Sequence, residues 1–502
     1  MFEPLILDGT NLTLENMHDV MFLRHPVEIA PEAMECASKA RQVLFDMAAQ
    51  GHPVYGLNRG VGWNKDKEFD QDFFETYNRN LLNCHSLGVA PYCSTEEVRG
   101  MMLLRLSTAL CGRTGISVDI LKLYRDFLNY GIHPRVPHRG SIGEGDITTQ
   151  SLIGLSMIGE NEVEYKGEIM SATRAFELTG LKPAILGPKD GLSIVARNGQ
   201  GEALTAILIY QMEQLLQLAN GVYCLSLEGL NGGLQPLGER VNELRTFAGQ
   251  IETAAICRSY LEGSYLEQPD PKRALQDPLT FRCHSAIQGS IVDALNFVRE
   301  TLVRQVNTTD DNPCIHYENS TTSVSPNFEV TTLVLGVEML ANALSHMSRT
   351  ACNRLIHLAD PAFTGLSRFL TPEDVKVIAY GTIQKVFTAL DAENRMLANP
   401  SSMDHMPVAG NIEDHASNLP LAVDKCMKMI DNMRYILAIE AMHGAQATDL
   451  RGDVTLGCKT SKLKATLRKE IPFLDKDRNL SRDIALAYDM ILRGDLNRAL
   501  ED

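Results

Sequence analysis

Four stretches of this chain carry apolar residues at helical spacing over many turns, and they constrain the fold more than any other feature. Leu204, Ile207, Leu208, Leu215 and Leu218 share one helix face, as do Ile287, Ile291, Leu295, Val298 and Leu302. Leu333, Val337, Leu340, Leu344 and Met347 keep a near-heptad stripe, and Val423, Cys426, Ile430, Met433 and Leu437 keep another. Long helices bury such stripes against one another, so the spacing predicts an all-α fold around a long central antiparallel bundle. Helices of this length need partners along their whole length, which points to a symmetric homo-oligomer sharing the bundle. Up to about Arg197 the chain is punctuated by Gly and Pro, so short helices and loops are expected there, with its motifs on turns. The expected organisation is a loop-rich helical part over 1–197, the bundle over 198–450 and a small, charged, peripheral helical segment over 451–502.

Charge and cysteine usage narrow the partners. Lys and Arg number 47 against 63 Asp and Glu, and the net charge of −16 opposes attraction to nucleic acid or an anionic membrane. A small molecule is the expected partner. Eleven cysteines with no Cys-x-x-Cys pair argue against a disulfide framework or a zinc knuckle, and a reducing cytoplasm is the expected compartment. No apolar run approaches the roughly 18 residues of a membrane span, and "MFEPLILDGTNL" has no basic segment leading into a long apolar one.

Polar clusters stand just outside the helices. "VYGLNRGVGWN" sets Tyr55 among glycine turns that can bring backbone and a phenol close to a ligand. "NRNLLNCHSLG" carries His85, "VARNGQGEAL" puts Asn198 at a helix start, "LQDPLTFRCH" offers Gln276 and Arg282, "VSPNFEV" offers Phe328, and "GTIQKVF" offers Gln384 and Lys385. "AGNIEDHASN" gathers Glu413, Asp414 and His415 before a helix. Each has an ordinary structural reading: a satisfied histidine, an N-cap, a solvated lysine, or an acidic helix N-terminus.

Taken in order, the clusters resemble the histidine and phenylalanine ammonia-lyase family, the aromatic amino acid lyases. The likeness runs through Tyr-Gly-x-Asn at Tyr55 to Asn58, Cys84-His85, His-Pro-x-x-Pro-x-x-Gly-Ser-x-Gly at His133 to Gly143, Asn-Gly at Asn198, Gln-Asp-Pro-x-x-x-Arg at Gln276 to Arg282, Asn-Phe at Asn327 and Asn-x-Glu-Asp-His at Asn411 to His415. No single element is specific, but the ordered set is. The resemblance implies an all-helical fold and a homotetramer whose active sites each draw on more than one subunit.

One departure stands out. In these lyases Gly-Ser-x-Gly runs into Ala-Ser-Gly-Asp, whose Ala-Ser-Gly cyclises to an electrophilic methylidene-imidazolone. Here Gly143 is followed by Glu144, Gly145 and Asp146, one residue short and without the serine, and Ile142 after Ser141 blocks the same cyclisation there. No cofactor and no metal are therefore expected. The electrophile takes up the lone pair of a primary amine, and a quaternary ammonium has none to give. An enzyme for such a substrate is the preferred reading; a non-catalytic homologue binding an aromatic amino acid or a protein is the alternative.

The resemblance also implies roles. In its histidine-directed branch the positions of Glu413 and His85 contact imidazole, so the expected substrate is a histidine betaine, hercynine or its 2-thione ergothioneine, losing trimethylamine. Tyr55 is the expected base, Arg282 the carboxylate clamp, Asn198 and Gln276 the polar floor, and Phe328 with the Tyr55 ring the face for the ammonium. Gln384 and Lys385 are further candidates, Lys385 adding a cation where histidine lyases have an uncharged residue. Leu279, in place of a tyrosine, leaves room for methyl groups. A phenol titrating near 10 is about three units too high for a base at neutral pH, so nearby positive charge from Lys385, Arg282 or the substrate is expected to lower it. Arg59 stands where the family usually has threonine.

Overall fold

All four striped stretches are helices in a computed structural model of the protein, which describes residues 3–68, 73–372 and 376–501. They are Gly199–Leu230, His284–Val306, Thr331–Leu358 and Leu419–Leu450. Every stripe residue is buried except Ile287, in the first turn of its helix, which is half-buried. The chain divides into two compact units, Met1–Ile207 with Arg299–Leu335 and Pro400–Asp424, and Leu208–Val298 with Gly336–Asn399 and Lys425–Asp502. Compactness thus groups the residues differently from the three consecutive segments expected, because the division falls inside the long helices.

The second unit holds most of the bundle. Helix directions follow from which residues meet: Leu225 lies against Gly444 and Gly229 against Ala447, so Gly199–Leu230 and Leu419–Leu450 run the same way. The Cys426 thiol reaches Val337 O, and Arg354 pairs with Glu440 at 2.6 Å, so Thr331–Leu358 runs with them. The helix Gln384–Leu397 opposes it, with Ser348 on Asp391 and Cys352 on Phe387 O. His284–Val306 opposes it too: Val298 packs on Gly336 while Ala286 and Ala343 flank one cleft. Successive long helices alternate in direction, as the antiparallel expectation required. Residues 451–502, expected to be peripheral, bury Leu463, Leu467, Ile471, Leu474 and Leu496 in this unit.

The first unit is built on the helix Thr95–Leu110, started by a Ser94–Glu97 capping box and buried at every position from Val98 to Leu110. Helices Phe74–His85, Ile147–Met157 and Asp190–Val195 pack together at Gly154, where a Cβ would come within 2.8 Å of Leu82 and 3.0 Å of Ile194. The sequence reading missed the short strands. Val89–Tyr92 pairs antiparallel with Pro137–Arg139, and Ile132–Pro134 joins Glu162–Tyr165 and Glu168–Ser171 in a three-stranded sheet. These strands are only three or four residues long, too short for a period-2 signal to rise above the turn residues around them.

A fully buried ion network underlies this unit. Arg197 pairs with Asp310 at 2.6 Å and with Glu202, while Arg105 pairs with Asp311 at 3.2 Å and Asp310 at 3.5 Å. Thr114 donates to Asp311 at 2.6 Å, and Lys189 stands 4.0 Å from it. Removing one partner of such a network strands the others without water. Arg105→Met is therefore expected to cost roughly 3–5 kcal/mol of unfolding free energy, read from denaturant titration. A loss near that of an exposed pair, below about 1 kcal/mol, would mean that Asp310 and Asp311 do not depend on it.

Candidate active site

A cavity of about 480 Å³ opens in the first unit, within the range of small-molecule sites. The helix Phe74–His85 contributes Tyr77, Asn80, Leu81, Cys84 and His85, spaced i, i+3, i+4, i+7 and i+8 along one helix face. Tyr55, Gly62, Trp63 and Asn64 come from the glycine-rich loop, and Glu144 and Gly145 from the turn after Gly143. Ile147, Leu192 and Val195 give an apolar wall, and Asp310, Asn312, Phe328, Ala409 and Glu413 close the ring.

The loop places its phenol through its own backbone. Gly62 has φ +54°, a conformation that strains residues with a Cβ, and its N–H donates to Tyr55 Oη at 2.8 Å. Above Gly62 lies Glu413, whose Oε1 would stand 3.4 Å from a Cβ added there. Glu413 is held by a bridge between Val408 and Glu413, with Val408 N donating to Glu413 O at 3.0 Å. The helix beyond starts only at Leu419, so Glu413 is not in its first turn and the helix-dipole reading falls away. His85 donates from Nδ1 to Leu81 O at 2.7 Å, which leaves Nε2 for a ligand.

The turn after Gly140 is gripped from both sides. Gly145 N–H donates to Asn198 Oδ1 at 2.8 Å, and Arg197 N–H to Gly145 O at 3.0 Å. Asp146 accepts from Gly201 N–H at 2.9 Å and from Ser141 Oγ, and Gly143 N–H donates to Ser141 Oγ at 3.1 Å. Ser141 is thus committed to shaping the turn. The residues present do not fit the ammonia-lyase prosthetic group, since no serine lies between Gly143 and Asp146 to dehydrate and a carboxylate side chain lines the cavity there instead.

Electrostatically the cavity is acidic. Burial, then the neighbouring charges of Glu413, Glu329 and Asp414, push the Glu144 carboxyl up to about 7. Burial also pushes the Tyr55 phenol above its usual value; the Gly62 hydrogen bond opposes this, while Glu413 and Glu144 add to it. The phenol of Tyr77 is pushed up to about 12, again by burial first and Tyr55 second. Positive charge was expected around Tyr55; the charges this unit sets nearest to it are mainly negative, with Lys65 a small counterweight.

Of the residues singled out in the sequence, Tyr55, His85, Phe328 and Glu413 line this cavity together. Asn198 does not: it is buried behind the wall, with Nδ2 donating to Phe328 O at 2.5 Å and Oδ1 occupied by Gly145. Its place makes it a holder of the turn and of Phe328 rather than part of an exposed polar floor. Gln276, Arg282, Gln384 and Lys385 belong to the second unit and do not line the cavity. There Arg282 donates to Gln276 Oε1 at 2.7 Å beside an exposed Leu279, and Lys385 lies exposed in the first turn of Gln384–Leu397. Arg59 pairs with Glu68 and bonds Asn58 O, a tie within its own loop. Sequence reasoning missed Tyr77, Trp63 and Asn312, and gave Glu144 no role. The Tyr77 to His85 helical spacing was a signal that could have found Tyr77.

The aromatic amino acid lyase family pattern matches residues 12–469. The chain is 34% identical to histidine ammonia-lyase of Geobacillus thermodenitrificans over 482 residues, 96% of this chain and 95% of that one. It is 60% identical to the ergothioneine-degrading enzyme ergothionase of Treponema denticola, solved in complex with desmethyl-ergothioneine sulfonic acid, with a TM-score of 0.97 over 98% of this chain and 99% of that one. Histidine ammonia-lyase of Trypanosoma cruzi, 23% identical, shares the fold at a TM-score of 0.89 over 99% of this chain and 95% of that one.

The Glu144 environment yields a stability prediction. Its folded pKa is raised from 4.5 to about 7, so the ionised form weakens the folded state. That cost is absent below the unfolded pKa, grows as pH rises, and is complete above about 7. Glu144→Gln removes it, so the variant should melt above wild type at about pH 8, with the gap closing toward pH 4. Calorimetry across this window checks it; a pH-independent gap would place the effect in packing instead.

Proposed function

The chain belongs to the aromatic amino acid lyase family, and from that premise we propose that it is a carbon–nitrogen lyase of the ergothionase type, which works without the family's prosthetic electrophile and eliminates trimethylamine from ergothioneine to give thiourocanate. The observation that carries this reading is Glu144 in the cavity with Tyr55 and Glu413, in the turn where the electrophile would have to arise. Two carboxylates suit a substrate bearing a fixed positive charge, and burial strengthens that attraction over its value in water. The likeness to the Treponema denticola enzyme supports the same choice of substrate.

In the proposed reaction Tyr55, as phenolate, takes a proton from Cβ. The C–H electron pair becomes the new π bond, and the Cα–N pair leaves on nitrogen as neutral trimethylamine. Glu413 accepts an imidazole N–H, a charge-assisted bond, and His85 Nε2 faces the ring. Phe328 and the Tyr55 ring offer π faces to the methylated nitrogen. Because burial and two carboxylates raise the Tyr55 phenol, the base form depends on compensating cations. The substrate ammonium is one. Arg282 and Lys385, with Gln276 and Gln384, are the others in this reading, contributed by neighbouring subunits of a homotetramer; Arg282 also clamps the substrate carboxylate.

Three outcomes are expected. Purified protein should release trimethylamine from ergothioneine but form no urocanate from histidine, and borohydride should leave its activity unchanged. Urocanate, or inactivation that substrate prevents, would restore the electrophile; no turnover of any histidine betaine would leave a non-catalytic binder. Tyr55→Phe should lower kcat by roughly 10² to 10⁴ with folding intact, and a loss under about tenfold would move the base elsewhere. Glu413→Gln should lower kcat/KM for ergothioneine by about 10-fold or more while sparing a betaine with a plain phenyl ring. Equal losses on both substrates would take ring recognition away from Glu413.

A further inference from the structure

Outside the cavity, a sulfur, a carboxylate oxygen and an imidazole nitrogen from different segments converge on one point. They belong to Cys93, Glu97 and His138, and no two of the ligand atoms are more than 4.8 Å apart. We propose that these three side chains bind a divalent metal ion of the zinc class, which clamps the strand pair leading into the Gly140–Asp146 turn.

Asp424 orients the ring of His138. Its Nε2 lies 2.9 and 3.1 Å from the two carboxylate oxygens of Asp424, so that nitrogen carries a proton. The other ring nitrogen, Nδ1, faces Glu97 Oε2 at 3.5 Å and Cys93 Sγ at 3.9 Å. An ion bound there takes the place of the protons that otherwise sit on this ring nitrogen and on the Cys93 thiol. Ligand atoms around a tetrahedral ion with bonds of about 2.0–2.3 Å stand roughly 3.3–3.8 Å apart, so the Glu97 separation falls inside that range, while Cys93 Sγ at 3.9 Å lies just beyond it and moves slightly inward to bind.

The surroundings are those of a ligand shell. An imidazole that donates its second N–H to a carboxylate is the usual partner arrangement of a metal-bound histidine, and Asp424 supplies it. Ser94 N–H orients Glu97 by donating to Oε2 at 2.7 Å. Gln200, fully buried, donates to His138 O at 2.5 Å and sets Nε2 3.9 Å from Cys93 Sγ, where it supports a thiolate. Sulfur, nitrogen and oxygen together favour a borderline ion such as Zn²⁺, with the fourth position left to water. The ligands come from the residue after the strand Val89–Tyr92, the first turn of the helix Thr95–Leu110 and the middle of Pro137–Arg139, which explains the lack of any Cys-x-x-Cys signature.

The test uses the full chain, stripped with a chelator. Zn²⁺ should bind at about one ion per chain and raise Tm through its preference for the folded state. Co²⁺ should give a near-ultraviolet thiolate-to-metal charge-transfer band that Cys93→Ser abolishes and Cys36→Ser retains. Asp424→Asn should weaken Zn²⁺ binding by about 10-fold or more. In wild type, Zn²⁺ should protect Cys93 from alkylation, which keeps the proposal testable if a variant fails to fold. No band in the wild type, a band that survives Cys93→Ser, or alkylation of Cys93 unaffected by Zn²⁺ would each overturn the proposal and leave His138 as an imidazolium between Asp424 and Glu97.

Discussion

The contact between Arg197 and its two acids is the constraint from which the site follows. Arg197 is fully buried, held by Asp310 and Glu202, and its backbone N–H fixes Gly145 O. The next residue, Asn198, takes Gly145 N–H, and Gly201 N–H takes Asp146. One helix start therefore positions the whole turn that carries Glu144. An arginine without water needs its carboxylates, and Asp310 in turn needs Arg105 as well. Each group tolerates burial only because the others are there, so the turn inherits the rigidity of the network behind it.

That rigidity bears on the proposed use of a carboxylate where the family carries an electrophile. With the turn anchored through the Gly145 backbone and the Asp146 carboxylate, a side chain at Glu144 can change without moving either. In the proposed elimination the same scaffold then serves a leaving group that already bears its charge, and the site's task becomes attraction of a cation and removal of a proton. The acidic cavity serves the first task and opposes the second, since the carboxylates that draw the ammonium also raise the Tyr55 phenol. Substrate arrival would relieve that conflict, because the cation offsets the carboxylates at the moment the base is needed.

Much of the fold was legible because the long helices advertise themselves. Stripes such as Leu333 to Met347 bury one face over many turns, and no other element matches a 3.6-residue period for so long. Of the site, Tyr55, His85, Phe328 and Glu413 were legible through ordered motifs. Trp63 and Asn312 were not, since neither residue type names a chemistry until the chain closes around it; Tyr77 was legible only through the helical spacing that it shares with His85. Asn198 was legible as a helix start, but the direction of its amide toward Gly145 and Phe328 was not.

The sequence by itself determined that the chain is helical, that its helices must pair along their length, and that the turn after Gly143 has no serine to cyclise. Those follow from periodicity and covalent chemistry, which are local. Only the tertiary structure decided the sign of the charge that the first unit sets around Tyr55, the pairing of buried arginines with Asp310, Asp311 and Glu202, and the meeting of Cys93, Glu97 and His138. These depend on distances between groups remote along the chain, and on burial, which sets how strongly a charge acts and has no value until the chain has closed around it.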